Sequence, residues 1–289
     1  MKTENVKKIA VLGAGRMGHQ IAIRSAMHGF ETTIFDVSHE QMLWMRQFAA
    51  DYLAGRVAKG RITQEHCDEA TALLHFSENL TEAVKDADFI IEAISEDRKM
   101  KEDLFTELDT LAKEDAIFAT NSSFYNSSEF AKCVRDPGRL CNMHFFNPPL
   151  VLKGVEVMRG EHTSDETFET VAGITERLGM IPTRINKEIS GMIANRILTV
   201  IMKEALTLHE NGYADVPDID GILKNALGHP MGIFRMQDLS GIDMAYYAQM
   251  NLYLRSGNPD DLPRPTIVSH FAKGEWGEKT GKGFYDYQK

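Results

Sequence analysis

The chain has 289 residues, 43% hydrophobic and 26% charged, an ordinary globular composition with room for two domains and a sizeable core. Its formal net charge of −10 argues against nonspecific nucleic-acid binding, and any anionic ligand needs a local positive patch. No apolar run is long enough to span a bilayer, the start MKTENVKK reads as leading straight into the first strand without a secretory leader, and Cys67, Cys133 and Cys141 lack metal-like spacing and fit free thiols of a reducing, cytoplasmic compartment.

Residues 9–12 form an apolar strand that enters Gly13-Ala14-Gly15-Arg16-Met17-Gly18, the pattern G-x-G-x-x-G. Ile21, Ala22, Ala26 and Met27 then recur at helical spacing, and His28-Gly29 stops the helix. Gly13 suits the sharp turn, Gly15 the approach of a pyrophosphate, and Gly18 close packing of helix on strand, while the N–H groups of the helix start face the phosphates. Taken alone, such glycines also occur in plain strand-to-helix turns. The next strand, residues 32–35, ends in Asp36, where a carboxylate accepts from the ribose 2′-OH of NAD and repels the extra phosphate of NADP. The expectation is an NAD site.

A helical insertion follows over about residues 38–75. Met42, Met45, Phe48 and Leu53 share a helix face that Ser38 can cap, residues 56–61 make a basic turn, and Thr63 opens a second helix ending near Leu74. Lys59 in that turn is either part of a packing extension or a contact for an anionic ligand tail. Residues 87–93 read as a buried parallel strand, 99–111 as a helix with Leu104, Phe105, Leu108 and Leu111 on one face, and 116–119 as a further strand. That strand delivers Thr120-Asn121-Ser122-Ser123 to its carboxyl end, where open α/β sheets bind ligands. A helix at 128–133, a strand at 140–146, the turn Asn147-Pro148-Pro149, strands at 154–158 and 180–185 and a helix at 165–178 complete the sheet. Beyond Gly191 everything reads as helix, with Ile193, Ile197, Val200, Ile201 and Leu208 as an apolar stripe. The expected fold is α/β: a Rossmann-type dinucleotide-binding domain with a mostly parallel sheet over residues 1–189, then an all-α substrate-binding and dimerisation domain over 190–289.

Chemistry concentrates on the strand pair after the TNSS cluster. A histidine such as His144 at the end of an apolar strand is commonly structural, but Glu156, between Val155 and Val157, is a carboxylate that is costly to bury without a partner. The proline turn brings the two strands together, so a His–Glu dyad satisfies both residues. It suits alcohol oxidation, in which imidazole takes the hydroxyl proton and the carboxylate orients the ring and stabilises its cation. Ser123 can act at the same oxygen and Asn195 can donate to a substrate carbonyl; their plain roles are a loop cap and an interhelical hydrogen bond.

GAGRMG, Asp36, TNSS, MHFFNPP, GVEVMRG, ANRIL, HPMG and KTGKGFYDY together resemble the 3-hydroxyacyl-CoA dehydrogenase family, of the short single-function 3-hydroxybutyryl-CoA type, over nearly the whole chain. The resemblance implies a serine at the substrate 3-oxygen at Ser123, the base at His144, its carboxylate at Glu156 and the substrate asparagine at Asn195. For the cofactor it implies Asp36 at the adenosine ribose, with Glu96, Lys101 and Asn121 near the nicotinamide half. It puts Lys59 on the CoA portion of an acyl-CoA substrate. Ser122-Ser123-Phe124-Tyr125, Asp97 and Ser190-Gly191-Met192 depart from the usual family residues Thr-Ser-Ser-Leu, Arg and Pro-Gly-Phe. The expectation is a stand-alone NAD-dependent oxidoreductase for (3S)-3-hydroxyacyl-CoA in fatty-acid or butanoate metabolism, a homodimer with no metal. The alternatives are a related dehydrogenase of a free 3-hydroxy acid or sugar acid, and an NAD-binding protein without catalysis.

Overall fold

In the computed structural model, which describes residues 2–288 apart from the Arg255 side chain, the chain divides into two units, Met1–Met192 and Ile193–Lys289. The first is built on eight strands: β1 (Lys8–Leu12), β2 (Glu31–Phe35), β3 (Leu74–Ser77), β4 (Phe89–Glu92), β5 (Ile117–Thr120), β6 (Leu140–Phe145), β7 (Gly154–Met158) and β8 (Ile181–Ile185). They form one sheet in the order β3-β2-β1-β4-β5-β6-β7-β8, parallel throughout except for the antiparallel β6–β7 pair. Six α-helices accompany it among the described residues: α1 (Gly18–Met27), α2 (His39–Ala58), α3 (Gln64–Leu73), α4 (Leu80–Val84), α5 (Arg98–Leu111) and α6 (Asp165–Arg177).

Successive strand residues feed two separate cores, as the two-residue period demands. Ile9, Val11, Phe89, Ile91, Ile117 and Ala119 enter one, while Ala10, Leu12, Ile90 and Phe118 enter the other. Burial on both faces is why these strands read as unbroken apolar runs. The chain order reverses between β1 and β4, and a crevice at the carboxyl ends of that pair is where a doubly wound sheet takes its ligand.

Two expectations need correction in this unit. The second helix ends at Leu73, beside the expected Leu74, but the insertion is not followed by a loop: β3 begins at once, pairing parallel with β2. No glycine or proline marks that junction, and the outer edge of β2 captures the segment. Residues 127–133 form a 3₁₀ helix rather than an α-helix, started by a capping box between Asn126 and Glu129.

The second unit holds α7 (Ala194–Glu210), α8 (Val216–Asn225), α9 (Ile233–Ser240), α10 (Ile242–Ser256) and α11 (Pro265–Ala272). Its core gathers Met202, Ala205, Leu206, Ile219, Phe234 and Ile267. The expected apolar stripe on α7 is divided between the edge of this core and the surface. Met202, Ala205 and Leu206 face inward, Ile201 and Leu208 only flank them, and Ile193, Ile197 and Val200 are exposed, Val200 by 68%. Nor is the segment helical to its end: Gly277 bridges Lys282, and Lys282 bridges Asp286. Asp238 fastens this tail by accepting from the Phe284 and Tyr285 N–H groups and the Tyr287 hydroxyl.

Candidate active site

The glycine turn leaves β1 and enters α1. Gly13 has φ +99°, and a Cβ there would lie 2.6 Å from the Ala93 carbonyl oxygen just past β4; a Cβ on Gly18 would lie 1.8 Å from the Gly13 oxygen. Packing within the protein thus requires both glycines. Gly15 differs, because a Cβ there would meet nothing within 4 Å. Its missing side chain leaves open space over the turn, which fits close approach of a pyrophosphate. Asp36 caps the end of β2 beside this turn, one carboxylate oxygen accepting from Ala14 N–H at 2.8 Å and the other from Ser38 N–H at 2.9 Å. Gln41 ties α2 to the Ala14 carbonyl at 2.7 Å. An exposed cradle with a fixed carboxylate at its side is the donor and acceptor set that an adenine dinucleotide needs, and these residues fit NAD.

The β6–β7 register sets His144 directly opposite Glu156. The His144 Nδ1 lies 3.0 Å from Glu156 Oε2 and its Nε2 lies 2.9 Å from Ser123 Oγ. His144 is 5% exposed and Glu156 2%, so neither can exchange its partner for water. The Phe146 ring meets the imidazole edge to face at 4.9 Å. With the proton on Nδ1 serving Glu156, Nε2 is the acceptor that faces the Ser123 hydroxyl.

Two asparagines secure the frame. Asn121 Oδ1 accepts from Phe145 N–H at 2.9 Å, and Asn142 accepts from Ser127 N–H while donating to the Tyr125 carbonyl. Ser123 itself sits on a turn built around Glu96. One oxygen of that carboxylate accepts from the Ser122 hydroxyl and from the Ser123 and Phe124 N–H groups at 3.1 and 3.0 Å. Its other oxygen lies 3.1 Å from the Lys101 ammonium. Lys101 in turn lies 2.5 Å from Glu92, which also accepts from Thr120 and from Ile94 N–H. Burial pushes the Glu92 carboxyl up, against the pull of Lys101 and Thr120.

Glu92 and Ser122 were not among the expected site residues. The signal for Glu92 was present, since it is a carboxylate in the apolar run 89–93, the same pattern that marks Glu156. Asp97 has a local role: it caps α5 through Met100 N–H at 2.8 Å. Of the two aromatics beside Ser123, Phe124 is 39% exposed, whereas Tyr125 packs on Phe130. Lys59 is the exposed C-cap of α2, and Asn195 is the second residue of α7 in the other unit. No cluster of metal-binding side chains occurs among the described residues.

A Rossmann-type sheet with an NAD cradle at its switch point and a Ser–His–Glu array at its carboxyl end defines an NAD-dependent dehydrogenase of the alcohol-oxidising kind. Comparison with known proteins agrees. Residues 8–189 match the 3-hydroxyacyl-CoA dehydrogenase NAD binding domain and residues 191–287 the 3-hydroxyacyl-CoA dehydrogenase C-terminal domain. The chain belongs to the 3-hydroxyacyl-CoA dehydrogenase family and is an NAD-dependent oxidoreductase of 3-hydroxyacyl-CoA thioesters. It is 34% identical over 283 residues to the 3-hydroxybutyryl-CoA dehydrogenase of Clostridioides difficile, covering 98% of this chain and 100% of that one. The solved (S)-3-hydroxybutyryl-CoA dehydrogenase PaaH1 of Ralstonia eutropha superposes with a TM-score of 0.92 at 30% identity, over 99% of this chain and 100% of that one. A diketoreductase described as acting on dicarbonyl compounds superposes at 0.86 and 30%, over 98% and 99%.

Proposed function

We propose that the enzyme interconverts a short-chain (3S)-3-hydroxyacyl-CoA, such as 3-hydroxybutyryl-CoA, and its 3-oxo thioester, with His144 as the base. The observation that carries this reading is the imidazole held between Ser123 and Glu156 at the carboxyl end of the sheet, in the same unit as the glycine cradle. In oxidation, Nε2 takes the hydroxyl proton and Glu156 stabilises the resulting imidazolium; in reduction the ring returns that proton. NAD supplies the acceptor for the hydride. Ser123 Oγ stands at Nε2, so serine and histidine meet the same substrate oxygen, and Asn195 donates to a substrate carbonyl.

Asp36 serves the adenosine ribose, and Glu96, Lys101 and Asn121 lie toward the nicotinamide half. Lys59, the C-cap of α2 between Arg56 in the helix's last turn and Arg61 beyond it, supplies positive charge for the CoA phosphates, which a chain of net charge −10 must provide locally. A homodimer through the second unit is supported by the exposed Ile193, Ile197 and Val200. A cytoplasmic setting is supported by three unpaired cysteines, and no helix among the described residues is long and apolar enough to cross a membrane.

The test is NADH oxidation with acetoacetyl-CoA, longer 3-oxoacyl-CoA thioesters and free acetoacetate. The reading requires kcat/KM to be highest for acetoacetyl-CoA. Equal or better turnover of free acetoacetate would favour a second reading, a reductase of unesterified 3-oxo compounds. That reading is raised by the diketoreductase likeness and by the exposed Phe124 beside Ser123.

A further inference from the structure

A diphosphate needs donors from the glycine turn and no acceptor, since a carbonyl oxygen turned toward a phosphate oxygen opposes two negative ends. Residues 14–16 carry three carbonyl oxygens, and each is taken by a side chain. Gln41 Nε2 of α2 donates to the Ala14 oxygen at 2.7 Å, His19 Nδ1 to the Gly15 oxygen at 2.6 Å and Gln20 Nε2 to the Arg16 oxygen at 3.1 Å. In a trans peptide the N–H lies opposite the C=O, so the N–H groups of Gly15, Arg16 and Met17 point the other way. None of those three N–H groups has a partner among the described residues, and Gly15 and Arg16 are exposed. Three captured carbonyls thus stand behind three open donors.

The Gly15–Arg16 peptide is the one most in need of such a hold. Gly15 has no side chain, so rotation about its backbone meets little resistance, and a flip of this peptide would replace a donor by an acceptor. The backbone holds the Gly15 oxygen through His19 N–H at 3.3 Å, the long end of hydrogen bonding, whereas the imidazole reaches it at 2.6 Å. The ring itself is fixed. It is 5% exposed and meets Trp44 edge to face at 5.0 Å and Phe48 at 4.7 Å. Burial holds the His19 imidazole below its ordinary value, so it is neutral and one nitrogen carries the proton; because a carbonyl only accepts, that nitrogen is Nδ1. Gln41, Trp44 and Phe48 follow at i, i+3 and i+7 on α2, so one helix face captures the Ala14 carbonyl and also fixes the ring that captures the Gly15 carbonyl. The pattern G-x-G-x-x-G prescribes none of these side chains.

We propose that His19 and Gln41 are positioning residues for the NAD diphosphate: by holding the Gly15 and Ala14 carbonyl oxygens away from the cofactor, they keep the N–H groups of the turn aimed at it. The inference rests on the glycine turn as the diphosphate site, and goes beyond it in naming the side chains that set the direction of its peptides.

The experiment compares the full chain with three variants. His19→Phe keeps a ring between Trp44 and Phe48 and loses the donor, His19→Asn puts an amide N–H₂ where Nδ1 stands, and Gln41→Leu removes the donor to Ala14. Each is checked by circular dichroism and titrated calorimetrically with NADH and ADP-ribose, and with adenosine in competition with NADH. His19→Phe and Gln41→Leu should each weaken NADH and ADP-ribose by about three- to tenfold, the scale of one net hydrogen bond, and leave adenosine within about twofold because it has no diphosphate. His19→Asn should return the affinity for NADH to within about twofold of the parent. Loss of packing between α1 and α2, by contrast, would weaken adenosine as well, since Asp36 and Ser38 stand at the start of α2. NADH affinity unchanged in His19→Phe, adenosine weakened by the same factor as ADP-ribose, or His19→Asn no better than His19→Phe would each overturn the inference. A parent protein that binds adenosine as tightly as ADP-ribose would instead overturn the glycine turn as the diphosphate site, so the two failures are distinguishable. If His19→Phe does not fold, Gln41→Leu carries the same comparison, and ADP-ribose affinity equal to the parent's there would overturn the inference.

Discussion

Changing Glu156 to Gln keeps the shape of the buried partner and removes its charge. The Nδ1–Oε2 contact of 3.0 Å and the burial of both residues keep water from replacing what is lost. A unit charge about 4 Å from the imidazolium is worth about 4 kcal/mol at an effective dielectric of about 20, nearly three decades in rate if the cation is fully formed in the transition state. The amide can also present its N–H₂ to Nδ1, which puts the ring proton on Nε2 and removes the acceptor altogether. We therefore expect kcat to fall about 10²–10³-fold, less than or equal to the 10²–10⁴ expected for His144→Gln. NADH affinity should stay near that of the parent.

The pH profile separates charge from shape. Loss of a neighbouring anion disfavours the protonated ring, so the free base persists to more acidic conditions and the acidic limb of kcat/KM for oxidation moves to lower pH. The assay is 3-hydroxybutyryl-CoA oxidation across the acid range, with circular dichroism to confirm the fold. An acidic limb that stays put or moves upward in Glu156→Gln refutes the dyad, and near-parental turnover in a folded, NADH-binding His144→Gln protein refutes the base.

The glycine turn predicts opposite outcomes one turn apart. Gly18→Ala should lower stability by about 1–3 kcal/mol in urea unfolding, whereas Gly15→Ala should fold normally and weaken NADH by on the order of tenfold, about 1.4 kcal/mol. Asp36→Ala should weaken NADH and narrow its preference over NADPH, as competing titrations would reveal. Lys59→Glu should raise KM for acetoacetyl-CoA more than it lowers kcat, with an effect that shrinks as salt rises. Asp88 should govern acid stability of the first unit. Burial opposes its charge, but Lys113 and the N–H groups of Lys7 and Lys8 hold the carboxyl below its ordinary value. A carboxyl depressed on folding stabilises above its unfolded value and loses that contribution as pH falls through the native one. The stability gap between parent and Asp88→Asn should thus be widest near neutrality and close below the ordinary carboxylate range. Each unit holds one tryptophan, Trp44 and Trp276, so a Trp276→Phe background lets Trp44 fluorescence report the first unit alone.

The parts of this fold that sequence reveals are those where one local rule acts by itself. Strands buried on both faces announce themselves as apolar runs, and Ser38, Thr63 and Ser164 cap their helices through their own side chains. β3 was hidden because its four residues carry no signal until β2 offers an edge to pair with. The α7 stripe was legible as an apolar face, but periodicity says nothing about what covers such a face. Exposed Ile197 and Val200 and buried Leu206 look alike in sequence.

The same limit explains why half of the catalytic frame was legible and half was not. Glu156 and Glu92 are each a carboxylate inside an apolar strand, and burial makes each demand a partner. The partner of Glu156 sits across a short proline turn, where strand pairing fixes the register and hence the dyad. The partner of Glu92 lies on the following helix, at a distance that no backbone ladder specifies, and Lys101 reaches it only because Asp97 starts α5 where it does. Asp97 departs from the residue common at this position, yet it provides the cap that sets the phase of the helix carrying Lys101. The departure therefore leaves the serine turn supported rather than impaired, and of the remaining departures the exposed Phe124 is the one beside Ser123.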